Sequence, residues 1–198
     1  MSGATAERLV PFHEAVGQIR DGDLLLYRGR GPIAWAGRGR HVHAAMLAWW
    51  DDDLLVLEVH PRYGGRAVTL ASQMHLWPGR LEVFAADFEG RWPEWHPRGA
   101  VRMMRRLCGM AYGWKSVLWV AMRHLPILRW VLRPELDDQL LGPWPPFCSQ
   151  ACVVATRLGG GVDPVPHLAD RFTEPADLAR SPFYSYRFTL GAPPSEMF

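Results

Sequence analysis

The sequence has few cysteines, little net charge and no apolar stretch of membrane-spanning length. Its three cysteines, an odd number in 198 residues, argue against a disulfide framework. The net charge of +2, without a basic stripe between aromatic residues, gives no reason to expect nucleic acid as a partner. Residues 1–18 lack the apolar core and small-residue cleavage pattern of a signal peptide. The expected location is therefore cytoplasmic, unless the protein is released by a route that needs no leader.

No internal repeat or low-complexity segment divides the chain, and 48% of its residues are hydrophobic, which is enough for a substantial core. We therefore expect a single domain over residues 1–198. Residues 112–132 are strongly apolar, and Pro126 should break them into two helical pieces. The expectation is a helical apolar insertion at about residues 111–134, packed as a core helix pair. Alternatively, residues 112–132 form an apolar lid or a membrane-docking surface beside the active site.

The most informative segment is Phe147-Cys148-Ser149-Gln150, which follows two consecutive prolines. The run from Cys148 to Leu158 is apolar-periodic and ends in three glycines, which predicts a helix beginning at or next to Cys148. Unpaired N–H groups and the helix dipole at that position favour thiolate over thiol. Cys148 is therefore a candidate nucleophile. The alternative is a small hydrophobic residue at a helix start, as is expected of Cys152 on the same helix face and of Cys108.

A nucleophilic thiol needs a base, and a predicted β-hairpin supplies one. Apolar runs at 41–50 and 54–60 surround the acidic turn 51–53. Depending on the centre of the turn, His43 lies opposite Glu58 or His60, and either register places all three on one face. A register of the other parity would put Glu58 and His60 on the opposite face. A histidine beside a carboxylate in apolar strands is the base-and-orienter pair that activates a thiol, because an unpartnered buried carboxylate is costly.

The remaining pattern predicts a mixed α+β fold. Helices are expected at 12–19 and 97–110, strands at 23–28, 67–70, 81–85 and 184–190, and loops at 29–40 and 89–97. The glycine-containing loop at 29–40 is expected at the mouth of the cleft.

These motifs, in this order, resemble a known family. They are Gly22-Asp23-Leu24, a histidine followed by small and apolar residues, Leu57-Glu58, Phe147-Cys148-Ser149, and a tail at 173–182 similar to Pro-x-Asp-Leu-x-x-Ser-Pro. Together they resemble the circularly permuted branch of the NlpC-type papain-like cysteine hydrolases, the YiiX/YaeF-like proteins, whose relatives include lecithin:retinol acyltransferase. The resemblance covers roughly residues 20–185. Val42 and Ala45 depart from it, because the family often has serine and glycine there.

The resemblance implies a papain-like (permuted NlpC-type) fold of class α+β, with an antiparallel sheet and the nucleophile helix packed against it. It implies Cys148 as nucleophile, His43 as base and Glu58 as third member of the site. His60 is the alternative third member, since the acyltransferase relatives use a second histidine. Beside these, we expect Trp144, Phe147 and Tyr112 to line the substrate cleft, and no cofactor is implied.

The expected function is that of a cysteine hydrolase, an amidase or peptidase that cleaves an amide in a small peptide, such as one derived from the cell wall. Charged residues at 38, 40, 51–53, 62 and 66 are candidates for holding such a peptide. One alternative is a thiol-dependent acyltransferase or lipase acting on lipid acyl esters. Others are a non-catalytic module on the same fold, and a metal-binding module in which zinc takes His41, His43, Glu58 and His60 as ligands.

Overall fold

The protein has a mixed α+β fold built on a seven-stranded sheet. In the computed structural model, residues 8–30, 39–114, 117 and 145–191 are described. The strands are β1 (Leu9–Val10), β2 (Leu24–Arg28), β3 (His41–Trp50), β4 (Asp53–His60), β5 (Gly64–Thr69), β6 (Leu81–Ala86) and β7 (Tyr184–Leu190). Their order in the sheet is β1-β7-β6-β2-β3-β4-β5, antiparallel throughout except for the parallel pair β1–β7.

The described helices lie on both faces of this sheet. They are α1 (Phe12–Val16), α2 (Leu70–Leu76), α3 (Pro97–Arg106), α4 (Cys148–Val154) and α5 (Pro175–Arg180). Helix α4 continues as a π-helical turn, Ala155–Gly159, and a short 3₁₀ turn covers Asp170–Phe172. None of the described helices combines the length and apolarity needed to cross a membrane.

Adjacent residues of the central strands enter two different cores. On β2, Leu24 and Leu26 pack with α3, α4 and α5, whereas Leu25 packs with α1 and α2 on the other face. Because side chains alternate along a strand, a strand covered on both faces is apolar at successive positions. The expected packing of the Cys148 helix against the sheet is confirmed, since α4 contacts β3 and β4.

Most predicted elements are present with shifted ends. The strand at 184–190 has the predicted bounds, and the hairpin occupies 41–50 and 53–60. The strand expected at 67–70 instead begins at Gly64 and ends at Thr69, whose side-chain oxygen caps α2, a helix that was not predicted. Helix α3 ends at Arg106 rather than residue 110, and the chain turns at Gly109 with a φ of +88°.

Several expectations concern residues outside the described ranges. They include Trp144, most of the loop at 29–40, and most of the helical insertion expected at 111–134. Residues 111–114, at the start of that insertion, are described and carry part of the site.

Two glycines bring residues 107–113 against the strand edge and against the residues preceding α4. At Gly65 an added Cβ would collide with the Leu107 carbonyl, and at Gly113 it would collide with that of Pro145. A backbone hydrogen bond forms at each of these close approaches. The Gly65 N–H donates to the Met110 carbonyl at 2.8 Å, and the Gly113 N–H donates to the Pro146 carbonyl at 3.2 Å. Tyr112 is thereby held between β5 and the first turn of α4.

Candidate active site

The Cys148 thiol lies at the start of α4, where backbone N–H groups are available. The preceding residue, Phe147, has an extended backbone and provides no side-chain cap. The Ser149 N–H is free to donate to the Cys148 sulfur. The Ser149 hydroxyl donates to the Thr173 carbonyl at 2.8 Å, which fixes the first turn of the helix. Such N–H groups stabilise an anion more than a neutral thiol.

The hairpin opens where α4 meets it. The ladder between β3 and β4 runs from Trp50↔Asp53 to Met46↔Leu57 and ends there, although both strands continue. Cys148 reaches β3 beyond this point, where the Ala44 N–H donates to its sulfur. The end of the ladder thus gives the thiol access to the strand that carries the histidine.

His43 joins the thiol to a buried carboxylate. Its Nε2 lies 2.6 Å from Oε2 of Glu58, and its ring also makes a hydrogen bond with Cys148. Because Nε2 is engaged by Glu58, we infer that Nδ1 faces the sulfur. Only 2% of Cys148 and 1% of Glu58 is exposed, so these interactions are poorly screened by solvent. Continued beyond its last pair, the register of this ladder would place residues 43 and 60 opposite each other, with Glu58 diagonal to His43 on the same face.

The three side chains shift one another's pKa values. Burial alone would lower the pKa of His43, but the charges of Cys148 and Glu58 and their hydrogen bonds raise it to about 10. Burial alone would raise the pKa values of Cys148 and Glu58, and their contacts with His43 lower both. At neutral pH the arrangement therefore favours a thiolate beside an imidazolium, with a carboxylate behind the ring.

Arg66 extends this row of charges, a position that the sequence pattern did not predict. Glu58 pairs with Arg66 across β4 and β5, and Arg66 donates from Nε to Oε1 of Glu58 at 2.7 Å and approaches the same oxygen through Nη2 at 2.6 Å. Both carboxylate oxygens are thus occupied by cationic groups. No apolar pattern indicated this pairing, because β5 begins with Gly64 and Gly65, three residues before its predicted start.

Tyr112 makes a further contact with the sulfur. Its hydroxyl is hydrogen-bonded to Cys148, and burial together with the charge of Cys148 raises the pKa of Tyr112 well above its usual range. The phenol is therefore protonated and donates. Tyr27 contacts His43 instead: its ring is edge-on to the His43 ring, at a centroid distance of 4.9 Å.

The other predicted site residues have different surroundings. His60 lies near His43, at a centroid distance of 5.9 Å, but its Nδ1 accepts a hydrogen bond from the Arg62 N–H at 3.1 Å. Phe147 is buried in a small cluster with Cys148, Ala169 and Phe172, so it does not form an open cleft wall.

The four potential zinc ligands do not converge. His41 bonds to Glu82 at 2.7 Å and packs edge-on against Phe84, whereas His43 bonds to Glu58. The cause is a bulge: Tyr27 pairs with His43 but Arg28 pairs with His41, so the alternation of side chains breaks at Val42. Among the described residues, no group of three or more histidine, cysteine, aspartate or glutamate side chains is arranged to hold a metal ion.

Comparison with solved structures identifies a neighbour of the same fold. YiiX from Escherichia coli O157:H7, titled as a metalloprotein and assigned to DUF1105, superposes with a TM-score of 0.57. The chain has a YiiX-like fold. The superposition covers 87% of this chain and 98% of YiiX at 13% sequence identity. No protein-family model matches the sequence, and no curated protein matches it either.

Proposed function

We propose that this protein is a cysteine hydrolase that cleaves an amide bond through an acyl-enzyme on Cys148, on a permuted papain-like fold. The observation that carries the proposal is the unbroken contact from the Cys148 sulfur through the His43 ring to Glu58. A merely structural cysteine would have its pKa raised by burial, as that of Cys152 is.

The proposed reaction has two steps, acylation of Cys148 and hydrolysis of the thioester. The Cys148 thiolate attacks the amide carbonyl carbon, forming a C–S bond, and the C–N bond breaks as His43 gives its proton to the leaving amine. Water then attacks the thioester while His43 accepts its proton, and the C–S bond breaks to release a carboxylic acid. Glu58 is a positioning residue that fixes the ring and stabilises the imidazolium, and Arg66 in turn fixes Glu58.

Charge that develops on the carbonyl oxygen needs donors nearby. The Cys148 N–H at the helix start is one candidate, and the Tyr112 hydroxyl, which already donates to the sulfur, is a second. The Cys148 N–H needs little reorganisation of solvent, because Cys148 is buried.

The substrate that we favour is a small peptide amide, which follows from the resemblance to the permuted hydrolases. YiiX is described as a metalloprotein, but the described donors of this chain do not fit a metal site, so no step is assigned to a metal. The non-catalytic alternative predicts no turnover of any substrate.

The test is to incubate the protein with cell-wall-derived peptides and, separately, with short-chain acyl esters and phospholipid vesicles. Cys148→Ala serves as the control, and Cys152→Ala serves as a matched variant on the same helix face. We expect peptide cleavage that requires Cys148 and survives loss of Cys152. Ester or phospholipid turnover that requires Cys148, without peptide cleavage, would replace this proposal with the lipid alternative.

A further inference from the structure

A cavity of about 460 Å³ lies on the α2 side of the sheet, next to the His43–Glu58 pair. The turn between β4 and β5 forms one wall, and the end of α2 forms the other. Its lining includes His43 and Glu58 but, within the described part of the chain, neither Cys148 nor Tyr112. The cavity therefore borders the His43–Glu58 pair without including the described surroundings of the sulfur, and its lining residues other than His43, Glu58 and Arg66 have no role in the proposed hydrolysis. Its volume is within the range that small-molecule sites occupy.

The polar groups of this cavity are mainly donors. Arg62 and Arg66 both line it, and Arg66 uses Nε and Nη2 on Glu58, which leaves Nη1 for another acceptor. His60 accepts the Arg62 N–H at Nδ1, so in the neutral ring the proton is on Nε2, a further donor. Among the described lining residues Glu58 is the one carboxylate, and both of its oxygens already have cationic partners, His43 and Arg66. An incoming anion would therefore meet unmatched positive charge.

The mouth of the cavity has apolar walls that face solvent. Leu76 is 67% exposed and Tyr63 is 60% exposed, and Trp77 lies beside Leu76 at the end of α2. Tyr63 is held in place, because it stacks on His60 at 5.0 Å and lies under the Arg66 guanidinium at 4.6 Å. Single exposed apolar residues are ordinary, but two that flank one basic cavity favour a ligand with an apolar part.

We propose that this cavity binds a small organic anion, with its carboxylate or phosphate between Arg62 and Arg66 and its apolar part against Leu76 and Trp77. Arginine suits both anions because its planar guanidinium donates two hydrogen bonds side by side. The inference does not rest on the proposed hydrolase activity, since Arg62, Leu76 and Trp77 take no part in that mechanism, and the one shared residue, Arg66, keeps its contact with Glu58.

The test is isothermal titration calorimetry with phenylacetate and phenyl phosphate. The neutral phenylacetamide and the cationic phenethylamine are the matched comparisons, and acetate lacks the apolar part. We expect phenylacetate and phenyl phosphate each to bind more tightly than phenylacetamide, phenethylamine and acetate. Tighter binding of phenylacetate or of phenyl phosphate identifies which anionic group the site prefers. If neither anion binds at up to about 10 mM, where a Kd of about 1 mM would be clearly measured, the proposal is wrong.

Variants locate the binding. Arg62→Gln should weaken the affinity for the preferred anion by roughly 3- to 30-fold, because Arg62 is exposed and a charge-assisted contact there is partly screened. Arg102→Gln removes the same charge from an exposed position on α3, which packs on the other face of the sheet, and should leave the affinity unchanged. Equal losses in the two variants would show only a general charge effect and would overturn the proposed site. Because no turnover is measured, failure here leaves the hydrolase proposal untouched.

Discussion

Replacing Glu58 by glutamine tests whether the carboxylate sustains the ionised thiol. The change keeps the size of the side chain but removes the charge that faces His43 at 2.6 Å and Arg66 at 2.7 Å. A hydrogen bond to a charged group contributes about 1.5–3 kcal/mol, and about 1.36 kcal/mol corresponds to one pKa unit. The pKa of His43 should therefore fall by about 1 to 2 units. The pKa of Cys148 should rise by a similar amount, because the imidazolium is what holds it down.

The assay is the rate of alkylation of Cys148 by iodoacetamide at neutral pH, followed by peptide mapping. We expect the rate at neutral pH to fall in Glu58→Gln, by up to about tenfold for a rise of 2 pKa units, since the thiolate fraction then leaves its plateau. Stability should fall as well, near the lower end of about 3–5 kcal/mol for breaking a buried ion pair, because Arg66 is partly exposed.

The chain offers a matched control in its second buried histidine–carboxylate pair. His41 and Glu82 are 2.7 Å apart and Glu82 is fully buried, so Glu82→Gln makes the same chemical change in a similar environment. It should destabilise the protein while leaving the alkylation rate of Cys148 unchanged. If both variants slowed alkylation equally, or if folded Glu58→Gln reacted at the wild-type rate, the reasoning about Glu58 would be refuted.

Three further predictions concern the neighbouring residues. Cys148 should be the most reactive thiol at neutral pH, because burial raises the pKa values of Cys108 and Cys152; preferential labelling of either in folded protein would contradict this. Tyr112→Phe should lower peptide turnover roughly 10-fold or more through loss of a donor to the oxyanion, measured as kcat, and an unchanged kcat would remove it from the mechanism. His60→Ala should lower turnover less than Glu58→Gln, because Glu58 bonds His43 directly whereas Nδ1 of His60 is engaged by the Arg62 N–H. Abolished turnover in His60→Ala alone would exchange their roles.

The sequence was sufficient to predict interactions that follow from local periodicity. Two apolar runs around an acidic turn predicted the hairpin, and the alternation of side chains put His43 and Glu58 on one face. Two prolines before an apolar-periodic run, with glycines after it, located the start of α4 at Cys148. Each of these predictions depends on residues close together in the chain.

Interactions that depend on long-range geometry could not be predicted in this way. The Glu58–Arg66 ion pair requires β5 to include Arg66, and the two glycines that begin this strand carry no apolar signal. Tyr112 reaches Cys148 only because Gly65 and Gly113 allow two close backbone approaches. The bulge at Val42 separates His41 from His43, and it arises in the pairing with β2, which the spacing of the two histidines does not reveal.

The central claim is that His43 holds Cys148 as a thiolate, and the pH dependence of Cys148 alkylation in wild type and His43→Gln tests it most directly. With the pKa of Cys148 lowered and that of His43 raised to about 10, the wild-type rate should already be near its plateau at neutral pH and should fall only in acid. In His43→Gln the midpoint should move to about 8.5 or higher, because burial then acts on the thiol without its cationic partner. The same midpoint in both proteins would contradict the account.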